Sequence, residues 1–228
     1  VSSVLAEVQA RGVRTGIVLH PLLIVQRADD GRLLDLAVAG DAGTVSRAAG
    51  TGWGDESLIV LVAEALDDAT AAGLRDSIGQ VLDDVDAAVG DWQRMMARFG
   101  AEIAALEARV GAASVPLLGE TIAFCRWMRE GQFVFLGMRE YGLDGDAASG
   151  ELKVIDGSGL GILADPNVHV LRRGRELVAL TDEIRRFYLK PSPIIITKSN
   201  VASRVHRRVH MDYVGLKTYA ADGRLAGE

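Results

Sequence analysis

The stretch DATAAGLRDSIGQVLDDVDAAVGDWQRMMARF, residues 68–99, decides how this chain is read. Its apolar side chains recur at Leu74, Ile78, Val81, Leu82, Val85, Val89, Trp92, Met95 and Met96. Steps of three and four place them on one stripe of a long amphipathic helix. Gly100 predicts an interruption, after which Ile103, Leu106 and Val110 carry a second helical stripe to Gly111. Upstream, the pattern changes to that of strands. The apolar, branched run over Ile17 to Gln26 reads as a strand in which Pro21, lacking an N–H, permits only an edge or a bulge. Asp29, Asp30 and Gly31 supply a turn, and Leu33 to Ala39 reads as the returning strand of a hairpin. Residues 40–54 lack any period and read as a loop, and ESLIVLVAE, residues 56–64, reads as a third strand with a buried middle. Val1, Val4, Leu5 and Val8 share a helical face before Gly12, so the chain is expected to open inside a helix.

Beyond the long helix, GAASVP at 111–116 combines small residues with a helix-breaking proline and marks the expected domain boundary. Leu117 to Gly131 reads as a helix carrying Ile122, Phe124, Cys125, Trp127 and Met128. The remainder reads as mostly β, with short strands expected at 133–143, 151–155, 168–171, 176–180, 193–198 and 213–219. The fold class is therefore α+β.

Composition narrows the function. Of 228 residues, 49% are hydrophobic and 25% charged, the balance of a folded globular protein. A net charge of −6 argues against a general nucleic-acid or anionic-membrane binder, because phosphate affinity depends on clustered Lys and Arg. The single cysteine cannot form an intrachain disulfide, and a reducing cytoplasm is the expected compartment. No apolar run approaches the ~20 residues of a membrane-spanning helix, and no signal-peptide pattern opens the chain.

Three motifs invite chemistry. VIDGSGLGIL, residues 154–163, resembles a dinucleotide fingerprint, but Ile162 stands where a third glycine or alanine is needed, and Pro166 arrives too early for the following helix. A tight turn is the expected form. His206 and His210 have the spacing that would put two imidazoles on one helical face, yet Arg207 replaces the glutamate of a zinc protease and no third ligand is near. Cys125 lies on the apolar face of its helix beside Phe124 and Trp127, an inert core position. No catalytic, cofactor-binding or metal-binding residue is therefore assigned. The one candidate site is Lys198, Arg204, His206, Arg207 and Arg208, a local concentration of positive charge suited to an anion or an interdomain contact.

Longer strings carry a family resemblance. WMREGQFVFLGMREY (127–141), GSGLGIL (157–163) and KSNVASRVHRRVHMDYVGLK (198–217), preceded in order by VLHPLLIVQRADDGRLL (18–34), ESLIVLVAEALDD (56–68) and VDAAVGDWQRMMARF (85–99), resemble the N-terminal half of the large NAD-specific glutamate dehydrogenases of bacteria. That resemblance implies a non-catalytic region of ACT-type and PAS-like domains ahead of a catalytic domain that holds the glutamate and NAD sites. It divides the chain into an ACT-like βαββαβ unit at 1–99 that begins within its first helix, a helical linker at 100–116, and a mixed, mainly antiparallel β, PAS-like unit at 117–228. It further implies contact with the rest of the same polypeptide, a homo-oligomer, an amino-acid effector, and NAD as cofactor of the parent enzyme but not of these residues. The loop that commonly binds amino acids in ACT domains would precede Val1, so no effector-binding residues carry over.

Overall fold

The computed structural model describes residues 1–38, 52–109, 117–145, 151–168, 190, 192–220 and 222–228. It is a mixed α+β protein with antiparallel sheets, dividing into compact units Val1–Ile78 and Gly79–Glu228. The expected loop over its 40–51 part, the expected boundary at 111–116, and the expected strands at 168–171 and 176–180 fall wholly or mostly outside the described residues.

In the first unit, helix α1 (Ser2–Ala10) buries Val4 and Val8. Glu7 is buried on the same helix and bonded to Arg11 at 2.9 Å, one turn on. Gly12 ends the helix at φ +74, a left-handed conformation that a residue without Cβ adopts freely. Strand β1 (Thr15–Leu19) stops before Pro21, and β2 (Leu22–Arg27) resumes after it. The proline therefore divides the apolar run into two strands. β2 is the centre of a three-stranded antiparallel sheet between β3 (Leu33–Val38) and β4 (Trp53–Ser57). The expected third strand is in fact two. β4 ends at Ser57, and β5 (Val60–Ala63) leaves to pair with β1, with Val18 opposite Leu61 and Leu19 opposite Val60. Nor is its middle buried: Leu58 is 46% exposed and Val62 50%.

Helix α2 (Asp68–Gly90) starts on a well-made cap. The Asp67 carboxylate accepts the Thr70 backbone N–H at 2.8 Å and its hydroxyl at 3.0 Å, satisfying a donor the helix leaves open. The division between the compact units falls within this helix. The expected break at Gly100 occurs instead at Asp91, which separates α2 from α3 (Trp92–Glu107). Gly100 lies inside α3 because its missing side chain leaves room for the Arg129 guanidinium, whose carbon would sit 3.2 Å from a Cβ there.

The second unit is built on a helical core. Phe99, Ile103 and Leu106 of α3 pack with Leu118, Ile122 and Cys125 of α4 (Leu118–Trp127) and with Met128. Each such burial of a large apolar side chain contributes about 1.5–3 kcal/mol. Met128–Gln132 forms a π-helical turn that ends through Gly131 at φ +87. Phe133 and Phe135 of the following segment, with Met138, Ile194, Val214 and Leu216 from strands, then pack against the helices. Two of this unit's antiparallel sheets supply the strand residues, and a third lies alongside in the same unit. β6 (Gly137–Met138) pairs with β9 (Leu160–Gly161), and β10 (Ile194–Ala202) pairs with β11 (His210–Leu216). The third joins β12 (Thr218–Tyr219), β13 (Leu225–Gly227), β7 (Tyr141–Asp144) and β8 (Glu151–Val154) in that spatial order. Arg109 ties the end of α3 to this sheet, donating to the Tyr219 carbonyl at 2.7 Å and lying 5.1 Å over its ring.

Candidate functional site

Between α3 and the strands of the second unit lies a cavity of about 570 Å³. Its walls are largely apolar, including Phe99, Met128, Phe133, Phe135, Leu136 and Ile162. Three charged groups meet at one part of the lining. Arg98 and Glu102, one turn apart on α3, face Glu140 from the segment joining β6 to β7. Arg98 Nε lies 3.1 Å from a Glu140 carboxylate oxygen, and Arg98 Nη1 donates to the Ser158 carbonyl at 2.5 Å. Burial holds the Glu102 carboxyl above its usual range, the Glu140 charge adds to this, and Arg98 opposes it.

At another part of the lining, the Tyr213 hydroxyl donates to Glu228 Oε1 at 2.5 Å. Burial pushes Glu228 up to about 8, and also pushes the Tyr213 phenol upward. The carboxyl can reach this place because residue 215 is glycine: a Cβ there would lie 1.4 Å from Glu228 Oε1. Lys217, also buried, is lowered to about 8 by loss of hydration and donates to the Lys190 carbonyl at 2.6 Å.

The glycine-rich motif is a turn, with a physical reason for each constraint. Gly161 has φ +59, and a Cβ on it would meet the Leu136 carbonyl oxygen at 2.2 Å. A Cβ on Gly159 would meet the Leu163 carbonyl oxygen at the same distance. The Gly161 N–H is taken by the Asp91 carboxylate at 2.8 Å, which lowers the Asp91 pKa, and Arg94 lowers it further. Arg139, 8% exposed, clamps the following loop by donating to the carbonyls of Leu163, Asp165 and Val168. The Gly161, Ile162 and Leu163 N–H groups and Arg139 are therefore engaged in holding the loop.

The five basic candidate residues are only partly brought together. Lys198 is paired with Asp212 at 2.6 Å across the β10–β11 ladder. Arg204 reaches α2, where it meets Asp84 at 2.7 Å and Gln80 at 2.9 Å. His206 and Arg207 lie on the cavity lining, and Arg208 is exposed. The helical spacing of His206 and His210 does not materialise. Residues 204–209 are a run of bends that begins at the Ser203 hydroxyl on the Val205 carbonyl at 2.7 Å, His206 has φ +65, and His210 opens β11 with its ring Nδ1 3.0 Å from the Ser199 carbonyl. Among the described residues no group of three or more His, Cys, Asp or Glu is arranged to hold a metal. Cys125 is fully buried, and burial raises its thiol to about 11, so it is a core residue rather than a nucleophile.

Arg98, Glu102, Glu140, Tyr213 and Glu228 are absent from the sequence reading. An Arg–Glu pair one turn apart usually means a solvated helix face, and only the flanking buried stripe of Met95, Phe99 and Ile103 hints otherwise.

No family model matches the chain. It is 30% identical over 234 residues to the NAD-specific glutamate dehydrogenase of Halomonas elongata and 26% identical over 235 residues to that of Pseudomonas aeruginosa. Each match takes in the whole of this chain and 14% of the relative. End to end, the chain resembles a part of these large NAD-specific glutamate dehydrogenases. No helix among the described residues is long and apolar enough to cross a membrane.

Proposed function

We propose that this chain is a non-catalytic regulatory and assembly segment of an NAD-specific glutamate dehydrogenase, lying ahead of the catalytic domain. The parent enzyme would oxidise L-glutamate with NAD and water to 2-oxoglutarate, ammonium and NADH, in the cytoplasm and as a homo-oligomer. NAD would act in the remainder of the polypeptide. Residues 1–99 would form the ACT-like unit, 100–116 the helical linker and 117–228 the PAS-like unit. The observation that carries this reading is the match of the whole chain to only 14% of each relative. The use of the glycine-rich loop for packing against Leu136 and Asp91 supports placing the nicotinamide site elsewhere.

An amino-acid effector would act by favouring one of two states of the full enzyme. A scaffold role is the second reading, favoured by the exposed aliphatic side chains of the first unit, Ile17, Leu19 and Leu22 among them. Both readings are tested in the full-length enzyme with Arg204→Glu combined with Arg208→Glu. The expected result is an altered mass by light scattering or an altered response of glutamate turnover to added amino acids, with hydride transfer itself intact. Unchanged mass together with unchanged amino-acid response would overturn the role given to the basic segment. Glutamate-dependent NAD reduction by this chain alone would overturn the non-catalytic reading.

A further inference from the structure

The cavity of the second unit carries an unbalanced polar cluster. Of the cations on the lining, which include Arg139 and Arg207, Arg98 is the one that acts on both Glu102 and Glu140, and it is already committed to Glu140 and to the Ser158 carbonyl. Glu102, half-buried on the same lining, makes no hydrogen bond among the described residues. A carboxyl half-withdrawn from water without a donor costs part of its hydration free energy, whether it stays charged or takes up a proton. A ligand that brings positive charge and N–H donors to Glu102 and Glu140 removes that cost. Two carboxyls beside an arginine are a poor cage for a metal ion, which needs more oxygen ligands than these. An ammonium group, with three donors and a compact charge, suits them.

The rest of the lining specifies the body of the ligand. Phe99, Met128, Phe133 and Phe135 line the same cavity, and Phe99 and Phe135 are 5.1 Å apart between ring centroids. Its volume lies within the range of small-molecule sites, about 300–1,000 Å³, which are mostly apolar with a few placed polar groups.

We propose that this cavity binds a small organic ammonium compound with an apolar body, its ammonium group held by Glu102 and Glu140 and its body against Phe99, Met128, Phe133 and Phe135. Action as an effector site rests on the regulatory reading above; binding itself does not. The shared chemistry can come from an apolar α-amino acid or from a simple amine.

The test is calorimetric titration of the full-length protein with four probes: L-phenylalanine, 2-phenylethylammonium, 2-phenylethanol and 3-phenylpropionate. At least one ammonium probe should bind about tenfold or more tightly than the alcohol and the acid, the loss expected when a charged hydrogen bond is removed. Glu102→Gln should weaken the same probe by a similar factor without lowering the melting temperature of the unliganded protein. Tighter binding of phenylalanine would identify amino acids as the source, and tighter binding of the amine would identify amines. Failure of both ammonium probes to saturate at millimolar concentration, or equal affinity for the ammonium and the alcohol, would overturn the proposal without recourse to any variant. Binding that leaves glutamate turnover unchanged would uphold the site and count against regulation. Altered assembly in the arginine variants with no probe binding would do the reverse.

Discussion

The first unit's β1–β5 pair and the second unit's helical core use the same kinds of residue to opposite effect. Ile17 and Leu19 of β1 and Val60 and Val62 of β5 are all exposed, the first two at 58% and 53%. In the second unit, Phe99, Ile103, Ile122 and Cys125 are buried, and strand residues such as Ile195 are closed over as well. A two-stranded sheet has no second layer of its own, whereas helices α3 and α4 pack against each other and also receive strands. An aliphatic strand is therefore a statement of demand for burial. Whether the demand is met depends on which elements arrive beside it.

The largest effect is expected at Phe99, in the buried core. Phe99→Ala should cost about 3–5 kcal/mol in urea unfolding of the second unit, as expected for truncating a buried aromatic. A loss near that of an exposed residue would mean that the core is not the stabilising element it is taken to be. Gly161→Ala should come next, with about 1–3 kcal/mol from the positive φ and a further cost from the Leu136 carbonyl in its way. Full stability in that variant, measured the same way, would show that the turn has room to relax.

Glu228 sharpens the contrast through pH. Its folded carboxyl titrates at about 8 because it is buried, against an ordinary 4.5. Between those values the folded chain keeps a proton that the unfolded chain has released, so stability falls as pH rises, at a slope approaching 1.4 kcal/mol per pH unit. The fall ends above about 8. Glu228→Gln should flatten this window in thermal melts taken across it, and an unchanged slope would mean that water reaches the Tyr213–Glu228 pair. The smallest effect belongs to the first unit: Ile17→Thr should stay within about 0.5 kcal/mol, as for an exposed position. A cost of several kcal/mol in the full-length enzyme would instead reveal a partner covering that face.

Much of the chain was legible before its structure. The stripe of apolar residues from Leu74 to Met96 marks real helix and Cys125 really is core, whereas the run around Pro21, expected as one edge or bulged strand, is two strands, the second of them the centre of its sheet. The two successes follow from local rules, namely periodicity and an apolar helix face. Misreadings occurred where a distant residue decides. Gly100 reads as a helix breaker, yet the Arg129 side chain occupies the space it leaves. ESLIVLVAE reads as one strand, yet β2 and β1 each claim half of it. His206 and His210 have helical spacing, but the pairing of Ala202 with His210 folds the segment back as a hairpin.

By itself, then, the sequence determined the α+β class, the presence of its helices though not where the long one breaks, the inert cysteine and the turn-forming role of GSGLG, because each depends on neighbours within a few residues. Tertiary structure alone decided which aliphatic strands were buried and that Arg98, Glu102 and Glu140 share a cavity. The physical reason is that burial and charge environment are set by side chains brought together from distant segments. A carboxyl on a helix looks the same in sequence whether it faces water or, like Glu102, a half-closed apolar chamber.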